Sequence, residues 1–349
     1  MTVRTGRRGE AAAVFLILIG SLLAACAGRS GTTDPAGPLP VWPPPPDAPR
    51  IAWVRAVHAP ADLGIRRNGV VRFFEYLVRG RRVDGMARPY AVTSLAGGGL
   101  AVADPDARVV HLFDPGRVTY RRLAEAEGGP LVSPVGVAAD GQGRIYVADS
   151  VRAAVFRFAA DGKWLNTFGG GGALLRPTGL AFDRERGILY VVDTLAHRVV
   201  GFDDAGRRGS GEGEFNYPVS VALDRQGNLY VGDTMNFRVQ VLDGTGRFLR
   251  AFGQAGRASG RFDKTKGIAL DRDGHVYVVE GLHDVIQVFD PDGTLLTVIG
   301  GTGSGPGEFD LPAGIDIDDD GRIVVADTAN RRIQILRYLG DTGSAGSGS

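Results

Sequence analysis

One phrase recurs down this chain and constrains it more than any other feature. It reads "LYVVDTLAHRVVGFD" at Leu189–Asp203, "LYVGDTMNFRVQVLD" at Leu229–Asp243 and "IVVADTANRRIQILR" at Ile323–Arg337. Each repeat around it has the same layout. An apolar run opens at Pro89, Pro134, Pro177, Pro218, Lys266 and Pro312, at spacings of 41 to 48 residues. A Gly/Asp turn such as "DRQGN" or "DRDGH" follows. A second run ends in an acid at Asp104, Asp149, Asp193, Asp233, Glu280 and Asp327. A third run ("RVQVLD") and often a fourth ("GRFLRAFG") complete the unit. The runs are short, rich in Val, Ile, Tyr and Phe, and bounded by turn residues, which is the pattern of β-strands. The 53 glycines suit so many tight turns, because glycine reaches positive φ without steric cost.

A unit of four strands in roughly 40–50 residues cannot bury both of its faces alone and must stack on its neighbours, and this is the period of a β-propeller blade. The expected fold is therefore all-β, a six-bladed β-propeller. The sixth repeat stops after its third run, at "RRIQILRYLG", whereas "RIAWVRAV", Arg50 to Val57, is a strand-like run with no repeat of its own. Pairing these two completes the last blade and closes the ring.

The front of the chain reads as an address. "MTVRTGRRGE" is basic, and "AAAVFLILIGSLLAA" is an apolar run of signal-peptide length. It ends in "LAAC", with Cys26 the only cysteine. This resembles the lipobox of bacterial lipoproteins and implies lipidation of Cys26, cleavage before it, and a place in the cell envelope. Ala27 after the cysteine leans to the periplasmic face of the outer membrane. A lone cysteine rules out an intramolecular disulfide and a thiolate metal cluster. The segment through "PLPVWPPPPDAP" is rich in Pro, Gly and Ser and reads as a semi-rigid spacer. The layout is thus 1–25 signal, 26–49 tether, 50–338 propeller and 339–349 polar tail. Within the propeller, 64–86 is an inserted amphipathic segment with six arginines, a candidate lid or partner-contact element. The first 25 residues hold three arginines and one glutamate, so a chain of net charge +1 becomes −1 without them. That near-neutral body has no nucleic-acid footprint.

The motif Y-V-x-D-T-x-N-x-R-[VI]-x-V is fully matched at Tyr230–Val241 and nearly matched in repeats three and six. Here the sequence resembles the NHL-repeat family of six-bladed propellers. The resemblance implies a structural role for the motif: the acid receives backbone N–H groups, Asn236 and Asn330 take the left-handed turn, and Arg198, Arg238 and Arg332 bridge turns or blades. The fold hosts binders, sensors and some enzymes, so it does not fix a function.

Candidate sites lie where repeats differ. Repeat five, "VVEGLHDVIQ", carries Glu280, His283 and Asp284 in place of the usual residues. Asp316 is an acid where other repeats have Thr93, Ala138, Ala181, Ala222 and Ala269. These four are the expected binding residues. "DIDDDGRIVVAD" imitates the start of a calcium loop, but its register is strand–turn–strand in every other repeat. Zinc lyases that resemble NHL proteins carry histidine just after the opening proline. Those positions here hold Tyr90, Val135, Thr178, Val219, Gly267 and Ala313, so no metal or other cofactor is expected. No G-x-S-x-G nucleophile elbow occurs. The expected function is a monomeric, membrane-tethered module that binds a protein, peptide or glycan of the envelope. The alternative is a propeller hydrolase, lactonase or lyase with a metal at the channel mouth.

Overall fold

The structure is a computed structural model and describes residues 38–65 and 85–340, apart from 170, 202–203, 206 and 209–211. Cys26, the signal, most of the basic insert and the end of the tail lie outside the described residues. No helix among the described residues is long and apolar enough to cross a membrane.

Six antiparallel sheets make the six blades. Their innermost strands are Ala91–Leu95, Pro134–Ala139, Pro177–Asp183, Pro218–Leu223, Thr265–Leu270 and Pro312–Ile317. These pack side by side in a ring, with blade six against blade one. The second strand of each blade is almost wholly buried, and Leu229–Asp233 and Val276–Glu280 are buried along their whole length. Both of its faces are covered by neighbouring blades, so its sequence reads as a continuous apolar run rather than an alternating one. Outer strands such as Phe248–Phe252 are half-exposed.

Six hydrophobic clusters fill the six seams between blades. The seam between blades five and six, for example, joins Tyr277, Val279 and Ile286 to Ile323, Val325 and Leu336. Each side chain buried this way contributes about 1.5–3 kcal/mol. Glycines on the inner strands let blades approach closely. A Cβ on Gly136 would collide with the carbonyl oxygen of Thr178, and one on Gly314 would stand 2.7 Å from Ala91 Cα.

Blade six draws on the front of the chain. Ile51–Val57 pairs antiparallel with Arg332–Tyr338, from Ile51 opposite Tyr338 to Val57 opposite Ile333. The Trp53 indole donates to Gln334 Oε1 at 2.8 Å. Part of the proline-rich segment joins the fold. Val41–Trp42 adds a fifth strand to this sheet, Val41 opposite Ala52 and Trp42 opposite Ile51. The Trp42 ring packs on the seam cluster and sits where a Cβ on Gly307 would stand, 2.5 Å from it. A proline-rich composition predicts poor strand pairing, but one apolar dipeptide beside an open sheet edge is enough to dock.

Candidate functional site: the two mouths of the channel

The antiparallel order sends the turns between second and third strands, and the loops leading into each blade, to one face, here the upper one. The first-to-second and third-to-fourth turns lie on the lower face. The motif acid organises the upper face. Asp104 accepts N–H bonds from Ala87 and Arg88, Asp149 from Val132 and Ser133, and Asp193 from Leu175 and Arg176. Asp233 does so from Asn216, Glu280 from Asp263 and Lys264, and Asp327 from Asp310. In every blade the acid clamps the incoming loop. Arg238 and Arg332 bond both the acid and the carbonyls of that loop.

The left-handed residue of the turn is not the asparagine. It is the next position, in all six blades: Arg108, Ala153, His197, Phe237, Asp284 and Arg331, with φ between 50° and 56°. Asn236 and Asn330 instead donate their side-chain amides to the acid, at 2.9 Å to Asp233 and 3.0 Å to Asp327.

The four expected binding residues do not form one site. Glu280 is fully buried and replaces the motif aspartate as the loop clamp. Burial, only partly offset by its two backbone N–H bonds, lifts its carboxyl above the usual range. Asp284 is also buried. It accepts the Thr302 hydroxyl at 2.7 Å and the Leu311 N–H at 2.8 Å, so it works behind the surface. The equivalent His197 accepts the Tyr217 N–H at 3.1 Å through Nδ1. Tyr217 and Leu311 each precede a blade-opening proline, and both are held at a left-handed φ of 49° with their side chains outside. His283 is half-exposed, with Nε2 3.8 Å from Asp263. Asp316 lies apart from these, in the channel wall.

The channel is a cavity of about 970 Å³ lined by all six inner strands. Asp316 stands four residues, about 13 Å along an extended strand, from the upper end of blade six. Its carboxylate accepts the Ser94 N–H at 2.6 Å, across the seam to blade one. Its place in the channel wall leaves it partly screened from water. This desolvation pushes its carboxyl up, against the Ser94 bond that favours ionisation.

The two mouths differ in chemistry. The lower mouth carries all the remaining acids of the lining, among them Asp271 and Asp318–Asp320, interleaved with Arg184, Arg225 and Arg272. Arg184 of blade three reaches Asp319 of blade six at 3.6 Å, bridging opposite sides. Asp271, Asp273 and His275 converge there, but Asp271 is already held by His275, the Tyr277 hydroxyl and two backbone N–H groups.

Among the described residues the upper mouth has Tyr90, Arg176, Tyr217 and Lys266 and no acid. Ladder register corrects the alignment here. Thr265 faces Glu280 as Pro218 faces Asp233, so the residue after the opening position in blade five is Lys266 and not Gly267. Exposed apolar side chains surround this mouth. Val151, Leu195, Met235 and Leu282 occupy one equivalent turn position in blades two to five, and Leu175, Tyr217 and Leu311 lie on the incoming loops. Sequence reasoning missed this arc because it followed charged departures from the motif. The signal was available in the variable position between the motif's Thr and Asn.

Fold and site together define a six-bladed β-propeller with one apolar face. The description "NHL repeat" matches residues 215–242, and "6-bladed beta-propeller" matches residues 269–344. The chain is a six-bladed β-propeller whose fourth repeat matches the NHL repeat. Among solved structures it is similar to a streptogramin B lyase, at 14% identity and a TM-score of 0.56 over 72% of this chain and 94% of that one. It is similar to virginiamycin B lyase from Staphylococcus aureus, at 15% identity and a TM-score of 0.52 over 72% and 96%. It is also similar to an auxiliary nutrient binding protein from Bacteroides thetaiotaomicron, at 14% identity and a TM-score of 0.58 over 73% and 70%. At these identities the likeness is one of fold.

Proposed function

We propose that this protein is a lipid-tethered recognition module of the cell envelope that docks a protein or peptide on its upper face. The apolar arc around the upper mouth carries the reading. Val151 is 65% exposed and Met235 51%, and apolar side chains gathered on one rim of a protein mark interaction surfaces. An apolar arc with a single aromatic favours a protein or peptide over a glycan. The binding protein among the solved structures gives the fold a precedent for this role. Cys26 supplies the anchor, and Cys26→Ser should leave uncleaved precursor and put little mature protein in the lipid fraction.

The docking test places a photo-crosslinking residue at 235 on the upper face and at 225 on the lower face, in cells that make the protein naturally. A discrete adduct from 235 alone, lost in Leu195→Asp, supports the reading. Equal adducts from both faces, or one indifferent to Leu195→Asp, refute it.

A second reading, a lyase or hydrolase, draws on Asp316, a carboxyl lifted by burial inside a cavity and so suited to proton transfer. Turnover of lactones or esters that disappears in Asp316→Ala supports it; no turnover by the parent chain refutes it.

A further inference from the structure

We propose that the upper mouth holds an anion site centred on Lys266, and that this site takes a carboxylate borne on an apolar chain. It goes beyond the docking surface just described and stands on a different observation.

Lys266 occupies an inner-strand position where the other blades place Tyr90, Val135, Thr178, Val219 and Ala313. Its Nζ lies 3.5 Å from the Tyr90 hydroxyl and 5.6 Å from the centre of that ring. The two meet across blade six, where Ala313 is small enough to let them pass. Lys266 forms no ion pair among the described residues. Among the described residues the other charged side chain lining this mouth is Arg176.

A concession in the seam makes room for the lysine. In three blades the threonine after the motif acid donates its hydroxyl to the opening carbonyl of the next blade. Thr194 reaches Pro218 at 2.7 Å, Thr234 reaches Thr265 at 3.3 Å and Thr328 reaches Pro89 at 2.8 Å. Blade five has Gly281 in this place. A Cβ there would stand 2.8 Å from Lys266 Cγ and 3.0 Å from the Pro312 carbonyl oxygen. The seam bond is absent and the space holds the lysine stem. This is the sense of the departure of repeat five from the motif: the residue it serves is Lys266.

The chemistry of the ligand follows. An ammonium beside a phenol hydroxyl offers two donors to the two oxygens of one carboxylate. Beyond them Tyr217 and Leu311 present apolar surface, so the carboxylate would carry an apolar chain. A peptide C-terminus and a free alkanoic acid share that chemistry.

The test is titration calorimetry on the full chain with acetyl-Leu-Leu, its C-terminal amide, decanoate and inorganic phosphate. The free acid of the peptide or decanoate should bind, and whichever binds identifies the source. Amidation of the peptide, or Lys266→Met, should weaken binding by about tenfold or more, the loss of a charge-assisted contact. Gly281→Thr, whose Cβ would stand 2.8 Å from Lys266 Cγ and so displaces the lysine stem, should weaken it similarly. Lys266→Arg should recover part of the affinity. The proposal is overturned if acid and amide bind equally, if phosphate matches the best carboxylate, if Lys266→Met changes nothing, or if neither carboxylate binds. Crosslinking from position 235 in Lys266→Met separates this outcome from failure of the docking surface, which does not need the lysine.

Discussion

Replacing Asp233 by alanine removes the clamp of blade four, and the structure gives the size of the loss. The carboxylate accepts Asn216 N–H at 2.7 Å, Asn236 Nδ2 at 2.9 Å, Arg238 Nε at 2.9 Å and Gln240 Nε2 at 3.0 Å. Gln240 and Arg238 keep a second acceptor, the Glu214 carbonyl. The Asn216 N–H loses its acceptor, and stranding one buried donor costs about 1–3 kcal/mol. Arg238 loses its contact with the Asp233 carboxylate. Breaking a fully buried pair costs about 3–5 kcal/mol, and Arg238, 19% exposed, is partly rescued by water. The expected total is about 3–5 kcal/mol. Asp233→Asn keeps an acceptor for Asn216 but turns an amide toward Arg238, so it should fall between alanine and the parent. Urea unfolding followed by tryptophan fluorescence reports this well. The three tryptophans, Trp42, Trp53 and Trp164, lie in blades six and two. If the ring unfolds as one body, they register damage to blade four. An unchanged midpoint for Asp233→Ala, or asparagine costing more than alanine, would refute the clamp.

Asp316→Asn should raise the melting temperature at pH 7. The folded carboxyl titrates above its unfolded value, so ionisation penalises the fold; the penalty is absent below the unfolded pKa of about 3.9 and complete above the folded one. The gain should therefore vanish in melts as pH falls toward 4, and a gain independent of pH would contradict it. Gly314→Ala pushes a methyl against Ala91 and Tyr90 backbone and should cost about 1–3 kcal/mol in urea unfolding; a neutral result would mean that the seam between blades six and one can spread. Trp42→Ala empties a half-buried contact and should cost about 1–3 kcal/mol, less than full burial would give, with protease cutting before residue 50 as a second readout.

The blades were legible because each strand must pack on a neighbour, which imposes one apolar layout six times. The closing strand was legible because the sixth repeat ended a strand short. Individual positions were less so. Lys266 was misplaced by one residue because Thr265 stands where other blades have proline, and only ladder pairing reveals it. Glu280 and Asp284 looked free because they break the motif. Yet their oxygens do the motif's work, since burial and hydrogen bonding do not depend on which acid supplies them. Propensity places the left-handed turn at Asn236, whereas Phe237 takes it. The apolar arc involves no motif residue at all and becomes visible only when the turns are placed on one face.

Under the proposed lipid anchor, the short strand Val41–Trp42 has a mechanical meaning. A pull arriving at Leu39 meets this strand before it meets Ile51–Val57, the strand that fastens the ring. The first to yield is a clip of two residues and one indole. Its release pays out residues 39–50 as slack, about 40 Å of chain at full extension. Only after that length is taken up does tension reach the fastener. If the proposed lipid anchor holds, the clip would act as a fuse, yielding to small tugs and resetting when they relax while the ring stays closed.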